Sequence, residues 1–312
     1  MVSIRSNLPP IAAGLIVALT GCAGAAGSVA PAQSLPARAP ANGTFTPLVG
    51  LFIADDTDDY VRVLQNGTWK GLGQIEYGVS VPDGNWVDSR DNFFQTDTAG
   101  ASVAEFGFNE SYPKFVYRGF ADPVVVTTDI NSNIFVGDFN FGTNGSITQF
   151  EDGHSKPLRK CSAPGGVEGV AVDSNNDVFV AYDDSKGQGR IERFSGGLAG
   201  CNASTLGVKL GLTGGLVLDG HHDLIVADQT SHVVDVIEPP YTQVGKNFNL
   251  GVVFQPYRLA LNRKESRLFV CEKPHQFVDV LEYPSGKLLI SLGQEHLFSA
   301  PRGVTDEPNA VF

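Results

Sequence analysis

Residues Gly169–Tyr182 read GVAVDSNNDVFVAY. A short apolar strand closes on an aspartate, a polar turn of four residues follows, and a second apolar strand begins. Related phrases stand at Trp86–Asp97 (WVDSRDNFFQTD), Val125–Asp138 (VVTTDINSNIFVGD), Gly215–Asp228 (GLVLDGHHDLIVAD) and Arg258–Cys271 (RLALNRKESRLFVC). The polar residue closing the first strand falls at Asp88, Asp129, Asp173, Asp219, Asn262 and Asp306, at intervals of 41, 44, 46, 43 and 44 residues. A repeat of this length built only from strands is the mark of a propeller blade. The fold class predicted is all-β, a six-bladed β-propeller.

Each blade is expected to hold four strands, a to d, counted outward from the axis. Strand a ends on the polar column above. Strand b ends nine residues later, at Asp97, Asp138, Tyr182, Asp228 and Cys271. The two chain ends are each part of one blade. Leu51–Asp55 reads as a strand b with no strand a before it, followed by Tyr60–Leu64 as c and Thr68–Leu72 as d. Pro301–Asp306 reads as a strand a with no full b after it. Joining them closes the ring with a composite blade and removes two open sheet edges.

The phrase GVAVDSNNDVFVA at Gly169–Ala181 resembles the NHL repeat and the strands of six-bladed SMP-30/gluconolactonase-like propellers. That resemblance covers Leu48–Phe312 as architecture. It implies a group of proteins that includes lactonases, lyases, sensor domains and binding scaffolds, among which the fold does not choose. The gluconolactonase branch implies a divalent cation held by Glu, Asn and Asp side chains at the tunnel mouth. The comparable positions here are Asp83, Val124, Glu168, Gly214, Tyr257 and Pro301. They offer two carboxylates and no Asn pair, too few oxygens for a hard cation. No cofactor is therefore expected, although the acidic surface is compatible with a divalent cation.

The chain has 312 residues, 36 of them Gly and 18 Pro, which suits a turn-rich all-β protein. A net charge of −12 argues against nucleic acid as a partner, because phosphates require a basic surface. Residues 1–21 read as an export signal. Arg5 precedes the nine-residue apolar run Ile11–Leu19, too short to span a bilayer. The run flows into Leu19-Thr20-Gly21-Cys22, which resembles the lipobox of bacterial lipoproteins, with Cys22 lipidated. Cleavage elsewhere in the Ala-rich stretch, or an uncleaved anchor, are the alternatives. Residues 22–46 are rich in Ala, Pro, Gly and Ser and read as a flexible tether to a domain over 47–312. The expected location is the bacterial cell envelope, periplasmic or surface, with the protein a monomer anchored to the membrane through its lipid. Cys161 and Cys201 fall in successive blades and can form a disulfide, whereas Cys271 ends an apolar strand and reads as a buried small hydrophobe.

The six copies act as an internal control. Residue types present in most blades serve the blade, so the Asp columns are read as turn formers whose side chains accept bonds from turn amides. Residues that break the pattern are the functional candidates. Asp83, Glu168, Tyr257, Arg258 and Arg302 are all predicted at the tunnel mouth, on the face shared by the d–a and b–c loops. They are read either as ligand contacts or as ion pairs among themselves. The acidic loop Asp55–Asp59 could hold a cation but lacks the Gly and distal Glu of a calcium loop. His232 and His275 share one face, with no third metal ligand specified. His221-His222 reads as a solvated turn tip. Phe139, Phe141 and Tyr60 could offer an aromatic surface or pack between blades. Asn66-Gly67 and Asn144-Gly145 read as hairpin turns. The function expected is binding or scaffolding of a protein or small-molecule ligand. The alternative is a hydrolase or lyase with its site at the tunnel mouth.

Overall fold

The computed structural model describes residues 50–250, 255–272, 276–293 and 298–306. The export signal, Cys22, the tether and His275 lie outside them. The described strands form six four-stranded antiparallel sheets, each one blade. The chain is a six-bladed β-propeller.

Blade one is composite, as the chain ends predict. Pro301–Thr305 pairs with Leu51–Asp55, in the register Phe52↔Thr305, Ile53↔Val304 and Ala54↔Gly303. Tyr60–Leu64 and Gly71–Ile75 complete it. Its outer strand starts three residues later than expected. Gln65 and Lys70 close a wider turn through a backbone bond of 2.8 Å, and Thr68 Oγ1 donates to Gln65 Oε1 inside it. Asn66-Gly67 therefore sits within a longer loop than a two-residue hairpin. Asn144-Gly145 likewise ends a b–c loop that contains the 3-10 turn Asn140–Gly142.

Val, Ile and Phe dominate strands a to c because β-branched and aromatic side chains pack well on a pleated surface. Six hydrophobic clusters fill the seams between neighbouring blades. One joins Phe52 and Ala54 of blade one to Phe93 and Phe106 of blade two, with the Phe52 and Phe93 rings stacked at 4.5 Å. Another joins Leu51, Ile53 and Val304 to Phe269 and Val278 of blade six, and so closes the circle. The remaining four occupy the other seams in order. Strand d is the exposed layer, as in Pro157–Ser162, where only Cys161 is buried.

The aspartate column does what the sequence predicts. In blades two to five one carboxylate oxygen of Asp88, Asp129, Asp173 and Asp219 accepts from the backbone N–H groups two and four residues on, at 2.8–2.9 Å. Asn262 closes a turn one residue longer, its amide oxygen accepting from the N–H groups of Ser266 and Arg267, four and five residues on. Asp306 belongs to the composite blade and has no a–b turn to close; it accepts from Asn66 Nδ2 instead.

Strand b runs one residue further than expected in blades four and six, ending on Asp183 and Glu272 rather than Tyr182 and Cys271. Every b strand thus ends on a carboxylate at one register position: Asp55, Asp97, Asp138, Asp183, Asp228 and Glu272. Several bind the loop that feeds strand a. Asp55 accepts from Ser299 N and Ala300 N, Asp138 from Ala121 N and Asp122 N, and Asp228 from Gly211 N. Burial, reinforced by Asp279, pushes the Glu272 carboxyl up to about 8, with the Gln255 backbone pulling the other way.

Candidate functional site at the tunnel mouth

Each strand a carries a β-bulge within its first three residues. In blade four Val167 pairs with Tyr182 and Gly169 with Ala181, which leaves Glu168 outside the ladder. In blade one Arg302 is skipped, and in blade three Val124. In blade two the irregularity spans Asp83-Gly84, in blade five Gly214-Gly215, and in blade six Tyr257-Arg258. A bulge frees a residue from pairing and re-aims its side chain. Here it does so six times around one ring. All five candidates predicted at the mouth lie in these bulges.

Three of them meet across the axis. Asp83, Glu168 and Arg258 come from blades two, four and six, every second blade. Arg258 Nε donates to Asp83 Oδ1 at 2.9 Å, and Nη1 donates to Glu168 Oε2 at 3.1 Å and to the Glu168 carbonyl at 2.6 Å. Arg258 Nη2 donates to Tyr257 Oη at 2.9 Å, and that hydroxyl donates to Asp83 Oδ2 at 3.0 Å. The guanidinium also lies over the Tyr257 ring, 4.0 Å from its centroid. Asp83, Glu168, Tyr257 and Arg258 are all buried. Arg302 stands at the rim, half-buried. It pairs with Asp56 through Nε and approaches Asp83 Oδ2 at 3.8 Å through Nη1.

Two glycines make room for this cluster. A Cβ on Gly303 would stand 2.0 Å from the Asp83 carbonyl, and one on Gly214 would stand 2.3 Å from the Tyr257 carbonyl. Neighbouring a strands therefore approach backbone to backbone, and only a bare residue fits between them.

Burial opposes the charge on Arg258, but Asp83, Tyr257 and Glu168 more than offset it, and the guanidinium remains charged. Burial pushes Glu168 up to about 7 despite the opposing charge of Arg258. Burial also raises Tyr257 well above its ordinary value, so the phenol stays protonated as a donor. Asp56 is raised by burial, with Arg302 working against the shift.

The place a divalent cation would need, between Asp83 and Glu168, is filled by the Arg258 guanidinium. The donor set does not fit a metal. Among the described residues no group of three or more His, Cys, Asp or Glu side chains could hold one. The acidic loop spreads its carboxylates among separate partners: Asp56 to Arg302, Asp58 to Tyr60 Oη and Ser299 Oγ, and Asp59 to the Val81 N–H. His222 is engaged with Asp173 of the neighbouring blade at 3.4 Å rather than merely solvated.

The aromatic candidates divide. Phe139 packs against the seam of blades three and four. Tyr60 lies under the Arg62 guanidinium. Phe141 stands out from the b–c loop at 75% exposure. Leu212, in the d–a loop of blade five on the same face, is also exposed. The sequence did not single out Leu212, because one leucine in a loop carries no periodic signal. Cys161 and Cys201 are joined in a disulfide between blades three and four, and Cys271 is a buried free thiol.

Solved structures share the architecture. A chain of a nidogen/laminin complex matches with a TM-score of 0.66 at 15% identity, over 82% of this chain and 97% of that one. A Bacteroides caccae protein of unknown function matches with a TM-score of 0.65 at 10% identity, over 83% and 98%. Virginiamycin B lyase from Staphylococcus aureus matches with a TM-score of 0.59 at 11% identity, over 86% and 90%. At such identities the likeness establishes a β-propeller and nothing about activity. No protein-family model matches the chain, and no curated protein does.

Proposed function

We propose that this chain is an exported, lipid-anchored propeller of the NHL/SMP-30 kind that works as a monomeric binding scaffold in the bacterial cell envelope, held to the membrane through Cys22. The observation that carries the scaffold reading is the closed mouth. Asp83, Glu168, Tyr257 and Arg258 spend their hydrogen bonds on one another across the axis. A general acid–base pair must instead converge on a vacant point where a reacting atom can sit. The docking face is the one shared by the d–a and b–c loops, where Phe141 and Leu212 present apolar area. Its occupant is a protein or a small molecule, not nucleic acid, given the net charge of −12.

A second reading, a hydrolase or lyase of the mouth, draws support from Glu168 at about 7, in the range of a working acid or base. Two structural neighbours are a virginiamycin B lyase and a streptogramin B lyase. Assay of purified protein against lactones, esters and cyclic depsipeptides, with and without divalent cations, separates the two. Scaffolding predicts no turnover above that of Glu168→Gln. Turnover abolished in that variant, with the fold intact, would overturn it.

A further inference from the structure

A second recess lies on the opposite face, away from the axis, among the a–b turns and c–d loops of blades three and four. It is open to solvent and has a volume of about 230 Å³. By volume that is room for about seven waters, the scale of one sugar ring. One wall is blade three, with Gln149 on strand c and Arg159 beside it on strand d, paired in the ladder. The other wall is blade four, with Asn176 on its a–b turn and the loop from Gly196 to Ala199. Phe135 and Leu198 form the apolar floor and belong to the seam between the two blades.

The walls are fixed in place. Cys161 lies two residues after Arg159 on the same strand, and Cys201 lies two residues after Ala199, so the disulfide ties one wall to the other. Asp177 Oδ1 accepts from Gly196 N at 2.6 Å and pins the loop from beneath. A recess held open in this way loses little freedom on filling, which favours a small polar ligand.

Its chemistry is specific. The Asp129 carboxylate at its edge is already used, accepting from Asn131 N, Asn133 N and Asn133 Nδ2. The side-chain amides of Gln149 and Asn176 and the Arg159 guanidinium make no hydrogen bond or ion pair with another described residue. An amide donates and accepts at once, the match for neighbouring hydroxyls. A guanidinium adds a planar fork for a carboxylate. Asp129 keeps its charge but turns both oxygens to the a–b turn, which leaves the Arg159 guanidinium as the charged group of the lining whose donors are unspent.

We propose that this recess binds a single carboxylate-bearing sugar unit, with Arg159 on the carboxylate and Asn176 and Gln149 on ring hydroxyls. The site is separate from the tunnel mouth, and its existence does not depend on whether the mouth binds or catalyses. The test is titration of the full, oxidised chain with glucuronic acid and, separately, with glucose, followed by nuclear magnetic resonance or calorimetry. Glucuronic acid should bind in the millimolar range and glucose at least about tenfold more weakly, the loss of one charge-assisted contact. Arg159→Gln lies on an exposed outer strand and should leave the melting temperature unchanged while weakening glucuronic acid by about tenfold. Asn176→Ala should weaken both sugars. No binding of glucuronic acid at tens of millimolar, equal affinity for glucose, or unchanged affinity in Arg159→Gln would each overturn the assignment.

Discussion

Replacing Arg258 with leucine tests whether the mouth cluster holds the ring together. The guanidinium bonds Asp83, Glu168 and Tyr257, and reaches blades two and four from blade six. Leucine restores much of the volume but none of these bonds, leaves Glu168 buried without a counter-charge, and leaves Asp83 with only the half-buried Arg302 at 3.8 Å. Removing one partner of a buried ion pair costs about 3–5 kcal/mol. For a domain of this size that corresponds to a fall in melting temperature of about 10 °C. The sign of the pH dependence follows from the stranded acids. Without Arg258 the Glu168 carboxyl, already raised to about 7, rises further above its unfolded value, so the deficit is largest at about pH 8 and shrinks toward about pH 5, where Glu168 takes up a proton. Thermal melts by circular dichroism across that range measure it. A companion, Arg258→Leu with Asp83→Asn and Glu168→Gln, removes the buried charges and should recover most of the loss at alkaline pH. A single variant melting within about 2 °C of wild type at about pH 8, or a triple variant worse than the single, would refute a structural ion cluster.

Three further outcomes are expected. Glu272, raised from 4.5 to about 8, contributes stability that is fully present below 4.5 and is lost as pH rises through 8; Glu272→Gln should therefore out-melt wild type increasingly across that window, by an amount on the order of 4 kcal/mol at its top. Replacing Cys161 and Cys201 with serine releases a loop spanning 40 residues, and denaturant titration should show a loss of about 4 kcal/mol. Deleting residues 301–312 strips strand a from blade one and bares the edge of Leu51–Asp55; the melting temperature should fall sharply and the protein should associate through the exposed edge, with an unchanged melt arguing against closure by the composite blade.

The ring was legible because each blade solves the same packing problem with the same words. The polar column from Asp88 to Asp306 announces strand a, and the incomplete first and last copies announce the composite blade. The mouth residues were legible for the opposite reason: the blade does not require Asp83, Glu168, Arg258 or Arg302, so they stand out against five other copies. Their partnership was not legible. Arg258 and Asp83 are 175 residues apart, and only the closed ring shows that blades two, four and six meet over the axis. The strand-b ends of blades four and six were misplaced by one residue, because a one-residue extension leaves the apolar run unbroken and merely moves its carboxylate partner. The recess beside the disulfide gave no signal either. Gln149 and Arg159 pair within blade three, but Asn176 joins them only when two blades are clamped side by side.

The bulge in every innermost strand divides the chain's freedom to change. Residues in the ladder answer to their neighbours above and below, so a substitution there disturbs a blade. The skipped residue answers to no ladder partner. The mouth is thus a set of variable slots mounted on a fixed frame, with the slot at Gly214 held blank by the Tyr257 backbone. The mouth could be rewritten without renegotiating the ladders, but in this chain Asp83, Glu168, Tyr257 and Arg258 would have to change together, because the slots are filled with a lock made of the chain's own charges.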